Sequence, residues 1–166
     1  AMKTGLIDAA EFNNPSSDRN FGMQDVSKFY SLGSFHQSQE MFEITFNKKK
    51  FDSLSKQHQN ILRIAAEAAN TDNYWYALKR YSDDLNKLVA ESGVKPFATP
   101  KDILAEQMKS WDKVIADFSS KDPLFKKIVD SQKAYAKSVM KYLLLNQPDY
   151  SIAFRNTFGD PANVKV

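Results

Sequence analysis

Few residues in this chain have the types and spacing that catalytic chemistry requires. The two histidines, His36 and His58, are isolated in the sequence, and this favours hydrogen-bonded structural roles over a zinc or acid–base pair. Glu11 could be paired with His36, but no spacing rule supports that pair. The chain has no cysteine, which excludes thiol catalysis, disulfides and cysteine-based zinc sites. No nucleophile, base and acid are brought together, so an enzyme is the weakest interpretation.

Glu11 and Phe12 form a candidate binding pair because they end a predicted strand. Residues 6–12 read as a buried strand with a carboxylate and an aromatic ring at its carboxyl end. A solvated carboxylate beside a core phenylalanine is the plainer account of the same pattern. The basic run Lys48–Lys50 most simply solvates a corner between a strand and a helix. A phosphate site would need glycine-rich backbone amides, and the chain has only 5 glycines.

The composition is that of one ordinary globular domain. The chain has 166 residues, of which 42% are hydrophobic and 26% are charged. A net charge of +3, with basic and acidic residues interspersed, gives no argument for nucleic acid binding. The aromatic content of 13% fits either a large aromatic core or an aromatic-lined cleft. Ala1-Met2 resembles a tag-cleavage remnant, so we expect any native signal peptide to lie upstream.

The candidate residues must be positioned by elements around one long stretch, residues 47–93. Ser55 predicts a helix N-cap, and Gly93 predicts the stop, with no Pro or Gly between them. Such a helix would be about 55 Å long at about 1.5 Å per residue. That exceeds the roughly 30 Å width of a domain of this size, so it either breaks near residues 70–73 or runs along something larger. Its predicted apolar face comprises Ile61, Ile64, Ala65, Ala68, Trp75, Leu78, Tyr81, Leu85 and Leu88.

The remaining pattern predicts an α/β, helix-dominated fold with two or three strands in the first fifty residues and then three helices. Residues 41–46 alternate cleanly and give the clearest strand. The preceding segments predict, in order, a loop, a short helix, and a short strand or turn: residues 13–18, 21–29 and 30–34. After the long helix we expect Thr99 and Asp122 to cap two helices that begin with a proline. We expect one domain over residues 3–145 and a weakly periodic tail over 146–166, which docks on a neighbour or is partly mobile.

Four strings in order carry a family resemblance. They are TGLIDAAEF at 4–12, FHQ at 35–37, NKKKFDSLSKQHQNIL at 47–62 and KDPLFKKI at 121–128. Together they resemble the C-terminal half of the periplasmic solute-binding subunit of TRAP transporters. The branch that they resemble is the one labelled mannitol/chloroaromatic or 2-oxo acid transport.

The resemblance implies a periplasmic-binding-protein-like fold of two lobes with the long helix as a spine. It further implies a periplasmic protein that captures a small organic anion, a carboxylate, and delivers it to the TRAP membrane permease subunits. Complete members are longer. The resemblance therefore implies a truncated chain that lacks the first lobe's N-terminal strands and the arginine that clamps the substrate carboxylate.

The resemblance also assigns site residues. Glu11-Phe12 matches the family's Glu-Trp at the ligand, where the backbone carbonyl of the aromatic residue can join a metal shell. Phe35-His36-Gln37 matches Trp-His-Glu, whose Glu is a candidate substrate or cation ligand. We therefore expect Glu11, Phe12, Phe35 and Gln37 to bind substrate. Phe12 and Gln37 are the candidate metal ligands for a Na⁺ or Ca²⁺ ion, although the neutral Gln37 weakens a hard-cation site.

A second hypothesis belongs to a different class. The long helix and the tail also fit a helical interaction module that forms a homodimer and no longer binds solute. An incomplete lobe would expose a large apolar patch, and such patches favour association.

Overall fold

The computed structural model describes residues 1–37, 40 and 42–159. Within these residues the chain is dominated by helices, with a single two-stranded sheet. The elements are α1 (Pro15–Asn20), β1 (Phe29–Leu32), α2 (Lys48–Asp52), α3 (Lys56–Ser92), β2 (Lys95–Ala98), α4 (Lys101–Lys121), α5 (Pro123–Asn146) and α6 (Tyr150–Phe158). None of the helices in this described part has both the length and the apolarity to cross a membrane.

The chain divides into two compact units. The first comprises Ala1–Tyr30 and Gln39–Pro96, and the second comprises Ser31–Ser38 and Phe97–Val166. Both strands contribute residues to both units.

Helix α3 is continuous over 37 residues and does not break at residues 70–73. Ser55 caps its first turn by accepting a hydrogen bond from the His58 backbone N–H, as predicted. Gly93 ends it in the left-handed region at φ 65°, and its N–H bonds to the Val89 carbonyl at 3.1 Å. The next amide, that of Val94, bonds to the Leu88 carbonyl at 3.1 Å. The bond from the Gly93 amide to the Val89 carbonyl is that of the left-handed helix cap, which glycine supports because it has no Cβ.

The core of the first unit lies at the carboxyl end of α3. Leu88 and Val94 are 3% and 5% exposed there. Further toward the helix start the predicted apolar face is uncovered, with Ile64 64% and Trp75 66% exposed. The burial that stabilises this unit is therefore concentrated where α1 packs against α3.

Strands β1 and β2 run parallel. The Lys95 amide bonds to the Lys28 carbonyl at 2.7 Å, and the Thr99 amide bonds to the Leu32 carbonyl at 3.1 Å. Because the register advances by four residues on each strand, the two strands point the same way. Their carboxyl ends are followed by the segment 33–37 and by α4, respectively.

The second unit is built on the hairpin of α4 and α5. Asp122 accepts hydrogen bonds from the Leu124 and Phe125 amides, and Pro123 takes the first helical position, as predicted. Ile115 and Val129, each 8% exposed, are its buried apolar residues. The predicted cap at Thr99 is wrong by one residue. Helix α4 begins after Pro100, and the Thr99 hydroxyl instead donates to the Leu32 carbonyl.

Two predicted strands are absent from the described residues. Residues 6–12 and 42–46 are irregular, with Leu6 79% and Phe42 78% exposed, and Met41 lies outside the described part of the chain. A strand is stabilised by a neighbouring backbone and by burial of one face. Within the described residues, neither segment has a paired strand or a buried face, so the buried-strand pattern of 6–12 and the alternation of 41–46 were not sufficient to predict strands.

The predicted helix at 21–29 is also wrong. The helix is α1, which begins within the segment predicted to be a loop, and residues 23–25 form only a 3₁₀ turn. Asn14 and Pro15 are an N-cap and a first helical position, a combination that reads as a turn when the following helix is short. In the predicted tail, Tyr150–Phe158 form helix α6 with Asp149 as its cap. Residues 160–166 of that tail lie outside the described chain.

Candidate functional site

Glu11 and Phe12 lie in the first unit, immediately before α1. Glu11 is exposed, and Phe12 is 46% exposed. The Phe12 ring packs against the Phe21 ring, with the centroids 4.7 Å apart. Phe21 follows the last residue of α1, so the contact folds the candidate residue back onto the helix that comes after it.

Helix α1 fixes the backbone directly after Phe12. The Asn13 amide donates to Asp18 Oδ1 at 3.2 Å. Asn14 Oδ1 accepts from the Ser16 and Ser17 amides at 3.1 and 3.0 Å, which caps the helix. These bonds restrain the backbone of residues 13 and 14. They therefore fix the direction in which the chain runs from Phe12 into α1.

Asp18 ties this helix to β1. Only 7% exposed, it accepts a hydrogen bond on Oδ2 from the Tyr30 hydroxyl at 2.6 Å. Burial raises the pKa of the Tyr30 phenol above its ordinary value, and the hydrogen bond and negative charge of Asp18 raise it further. The phenol is therefore held protonated as the donor of this bond.

A second buried carboxylate, Asp84 of α3, contacts α1 through a hydrogen bond and an ion pair. It is 8% exposed, and its Oδ2 accepts from Ser16 Oγ at 2.6 Å. Three cationic groups surround it at 3.6–3.7 Å: Arg19 of α1, and Arg80 and Lys87 of α3. The Ser16 hydrogen bond lowers the pKa of Asp84; burial opposes that shift, and the three cations reinforce it. A charged Asp84 thus links α1 to the long helix, as does the ion pair between Arg19 and Glu91.

Phe35 and Gln37 lie in the second unit, on the segment that follows β1. Gly33 turns the chain at φ 81°, in the left-handed region that favours glycine. Phe35 is 56% exposed, and Gln37 is exposed. The carboxyl ends of parallel strands are where open α/β folds bind ligands, so this position suits a binding segment.

One side chain of α4 contacts this segment at several points. Gln107 Oε1 accepts from the Phe35 amide at 3.2 Å and pairs with Ser34 Oγ at the same distance. Its Nε2 donates to Ser34 Oγ at 2.9 Å. Ser34 Oγ also pairs with His36 Nδ1 at 2.6 Å, which agrees with the structural role expected of that histidine.

The four predicted substrate residues are thus placed in pairs, Glu11 with Phe12 in one unit and Phe35 with Gln37 in the other. The backbone next to each pair is held by a polar side chain. Asp18, which is buried, holds it near Glu11 and Phe12, and Gln107, which is half-buried, holds it at Phe35. The predicted metal ligands, Phe12 and Gln37, remain a prediction. Within the described residues, no group of three or more His, Cys, Asp or Glu side chains is placed to hold a metal ion.

Sequence reasoning missed the residues that hold these segments. Asp18 was assigned to a loop, and recognising Asn14-Pro15 as a helix start would have placed it in α1 facing β1. Asp84 lies between Asp83 and Leu85 on the long helix, and this local pattern does not identify its partner on α1. Gln107 lies 73 positions from Ser34, and no local pattern links the two.

Comparison with known proteins agrees with the resemblance. The chain matches the family model described as DctP, bacterial extracellular solute-binding protein, family 7, over residues 1–122. A curated relative, the monocarboxylate 2-oxoacid-binding periplasmic protein of Nostoc sp., is 26% identical over 152 residues, which is 90% of this chain and 41% of the relative. The chain therefore spans about two-fifths of the length of that relative. No solved structure gives a significant match.

The matched family consists of periplasmic solute-binding proteins of TRAP transporters, which bind small organic anions, work with permease components and are not enzymes. The helix-dominated chain with its small parallel sheet is consistent with part of a periplasmic-binding-protein-like fold. With the family match covering 122 of its 166 residues, this chain belongs to the DctP family of bacterial extracellular solute-binding proteins.

Proposed function

We propose that this chain is part of a periplasmic receptor that captures a small 2-oxo monocarboxylate and presents it to a TRAP membrane permease. The family match over residues 1–122 carries the proposal. The 2-oxo acid class, rather than mannitol or chloroaromatic solutes, is favoured by the name of the Nostoc relative. Since the chain spans 41% of that relative, we place the rest of the cleft in a longer protein.

The proposed contacts follow from the chemistry of the exposed groups. A carboxylate ligand needs hydrogen-bond donors, and the Gln37 amide supplies two N–H groups. Phe12 and Phe35 offer half-exposed rings that would exclude water from the ligand's short carbon chain. Glu11 carries the same sign of charge as the ligand. A bound Na⁺ or Ca²⁺ ion would offset that repulsion, and the Phe12 carbonyl and Gln37 remain the predicted ligands of such an ion.

The test is isothermal calorimetry of the full-length protein with pyruvate, lactate, longer 2-oxo acids and mannitol. We expect the 2-oxo monocarboxylates to bind and mannitol to give no heat of binding. Tight binding of mannitol with none of pyruvate would contradict the substrate class. The isolated 166 residues should bind pyruvate poorly, because we place the family's carboxylate-clamping arginine in the rest of a longer protein. Micromolar affinity of this chain alone for pyruvate would contradict that placement.

A homo-oligomeric helical module is the competing function, and the exposed apolar side chains of α3 favour it. Ile64, Trp75 and Leu78 are 64%, 66% and 50% exposed. A second copy could cover them, and so could the remainder of a longer protein. Light scattering of the isolated chain separates the two, since a strict monomer at all concentrations would count against the module.

A further inference from the structure

A side chain of α4 holds the segment that follows β1. Residues 34–37 connect to α4 through Gln107, whose amide group uses both its oxygen and its nitrogen in the contact. We propose that Gln107 is a positioning residue that orients Phe35 and Gln37 for the ligand. This inference rests on the proposed function, and it adds a residue outside the segment that carries the ligand contacts.

The contact fixes the backbone as well as a side chain. The bond from the Phe35 amide to Gln107 Oε1, at 3.2 Å, restrains the peptide between Ser34 and Phe35. The Ser34 hydroxyl, 2.9 Å from Gln107 Nε2, also accepts from the His36 backbone amide at 3.3 Å. Gln107 therefore acts on three consecutive residues, either directly or through Ser34.

Burial makes the contact effective. Gln107 and Ser34 are half-buried, whereas Phe35, His36 and Gln37 are exposed. An exposed segment without such a restraint would have to be ordered when the ligand binds, and the lost conformational freedom would weaken binding. Gln107 supplies that order in advance.

Glutamine is suited to this position because it both donates and accepts. Gln107→Ala removes all of these bonds. Gln107→Glu keeps the oxygen that accepts from the Phe35 amide and the Ser34 hydroxyl but loses the donor to Ser34. The glutamate variant should therefore restore part of what the alanine variant loses. If Gln107 served only to fill space, Gln107→Glu would not have an effect between those of wild type and Gln107→Ala.

The first experiment is hydrogen–deuterium exchange of residues 33–37 in the wild-type chain and both variants. Gln132→Ala, at an exposed position on α5, is the matched control. We expect Gln107→Ala to speed exchange of the Phe35 amide about tenfold, the effect of losing about one net hydrogen bond. Gln107→Glu should lie between Gln107→Ala and wild type, and Gln132→Ala should match wild type. Unchanged exchange in Gln107→Ala overturns the proposal, provided that exchange along α5 shows the hairpin to be folded.

The second experiment is calorimetric titration of the same variants with pyruvate in the full-length protein. We expect Gln107→Ala to raise the Kd about tenfold and Gln107→Glu to raise it less. Faster exchange with an unchanged Kd would overturn the role in ligand binding. If the wild-type protein binds no carboxylate, the proposed function fails, and with it the ligand role of Gln107. The exchange measurement would still decide whether Gln107 orders the segment.

Discussion

Replacing Asp84 by asparagine should loosen α1 from the long helix without changing the shape of the side chain. The amide oxygen of the new side chain would still accept from Ser16 Oγ, but as a neutral acceptor. Hydrogen bonds to charged groups contribute about 1.5–3 kcal/mol and neutral ones about 0.5–1.5 kcal/mol, so the difference is about 1 kcal/mol. Loss of the partly exposed ion pairs adds about 1 kcal/mol more. The expected cost of Asp84→Asn is therefore about 2 kcal/mol.

The assay is hydrogen–deuterium exchange of the α1 amides, which reports the free energy of opening this unit locally. A loss of about 2 kcal/mol corresponds to roughly 30-fold faster exchange. Asp83→Asn is the matched control, because Asp83 is the preceding residue on the same helix and pairs with Lys79 at the surface. An exposed pair of this kind contributes about 0.5 kcal/mol or less. Equal effects of the two substitutions would refute the role given to Asp84.

The pH dependence gives a second check on the same residue. The pKa of Asp84 is lowered below its ordinary value of 3.8 in the folded chain. Its stabilising effect is therefore present above that pH and is lost as the pH falls through and below it. The difference between wild type and Asp84→Asn should shrink in acid below pH 3.8. A difference that stays constant from neutral pH down to strong acid would contradict the account.

Two further substitutions test the supports of the site. Tyr30→Phe leaves Asp18 Oδ2 without its donor and should cost about 1–3 kcal/mol at neutral pH, measured by exchange of α1 amides. Because folding raises the pKa of Tyr30, the wild-type chain should lose stability as the pH rises above the ordinary value of 10.0. Tyr30→Phe should lack this loss. Parallel curves of stability against pH for the two proteins would refute the role of Tyr30. Gly93→Ala should destabilise the end of α3 by about 1 kcal/mol through backbone strain alone, since nothing lies within 4 Å of a Cβ there. A neutral effect on the melting temperature would argue against the left-handed cap.

The long helices α3, α4 and α5 were the part of the fold that local sequence predicted well. Ser55, Gly93 and Asp122 each act through bonds to backbone a few residues away, so their effect is visible in a short window. The strand at 41–46 was predicted from alternation and the one at 6–12 was predicted as a buried strand. Neither pattern reports whether a neighbouring strand exists to pair with it. The true strands, β1 and β2, are only four residues each and pair across the whole of α2 and α3.

The same contrast between local motifs and long-range contacts applies to the candidate site. Glu11, Phe12, Phe35 and Gln37 were predicted from short motifs that resemble the family, and they remain a prediction. Their supports were not predicted, because Asp84 and Gln107 act across 68 and 73 positions of sequence. Such contacts depend on how helices pack, which periodicity does not specify.

The most direct test of the central claim is a pyruvate titration of the full-length protein and its Gln37→Ala variant, with Gln132→Ala as control. If Gln37 donates to the ligand carboxylate, losing that charge-assisted bond of about 1.5–3 kcal/mol should raise the Kd roughly 10- to 100-fold. The control should bind as wild type does. Wild-type binding that is unaffected by Gln37→Ala, or no binding of any small carboxylate, would contradict the account.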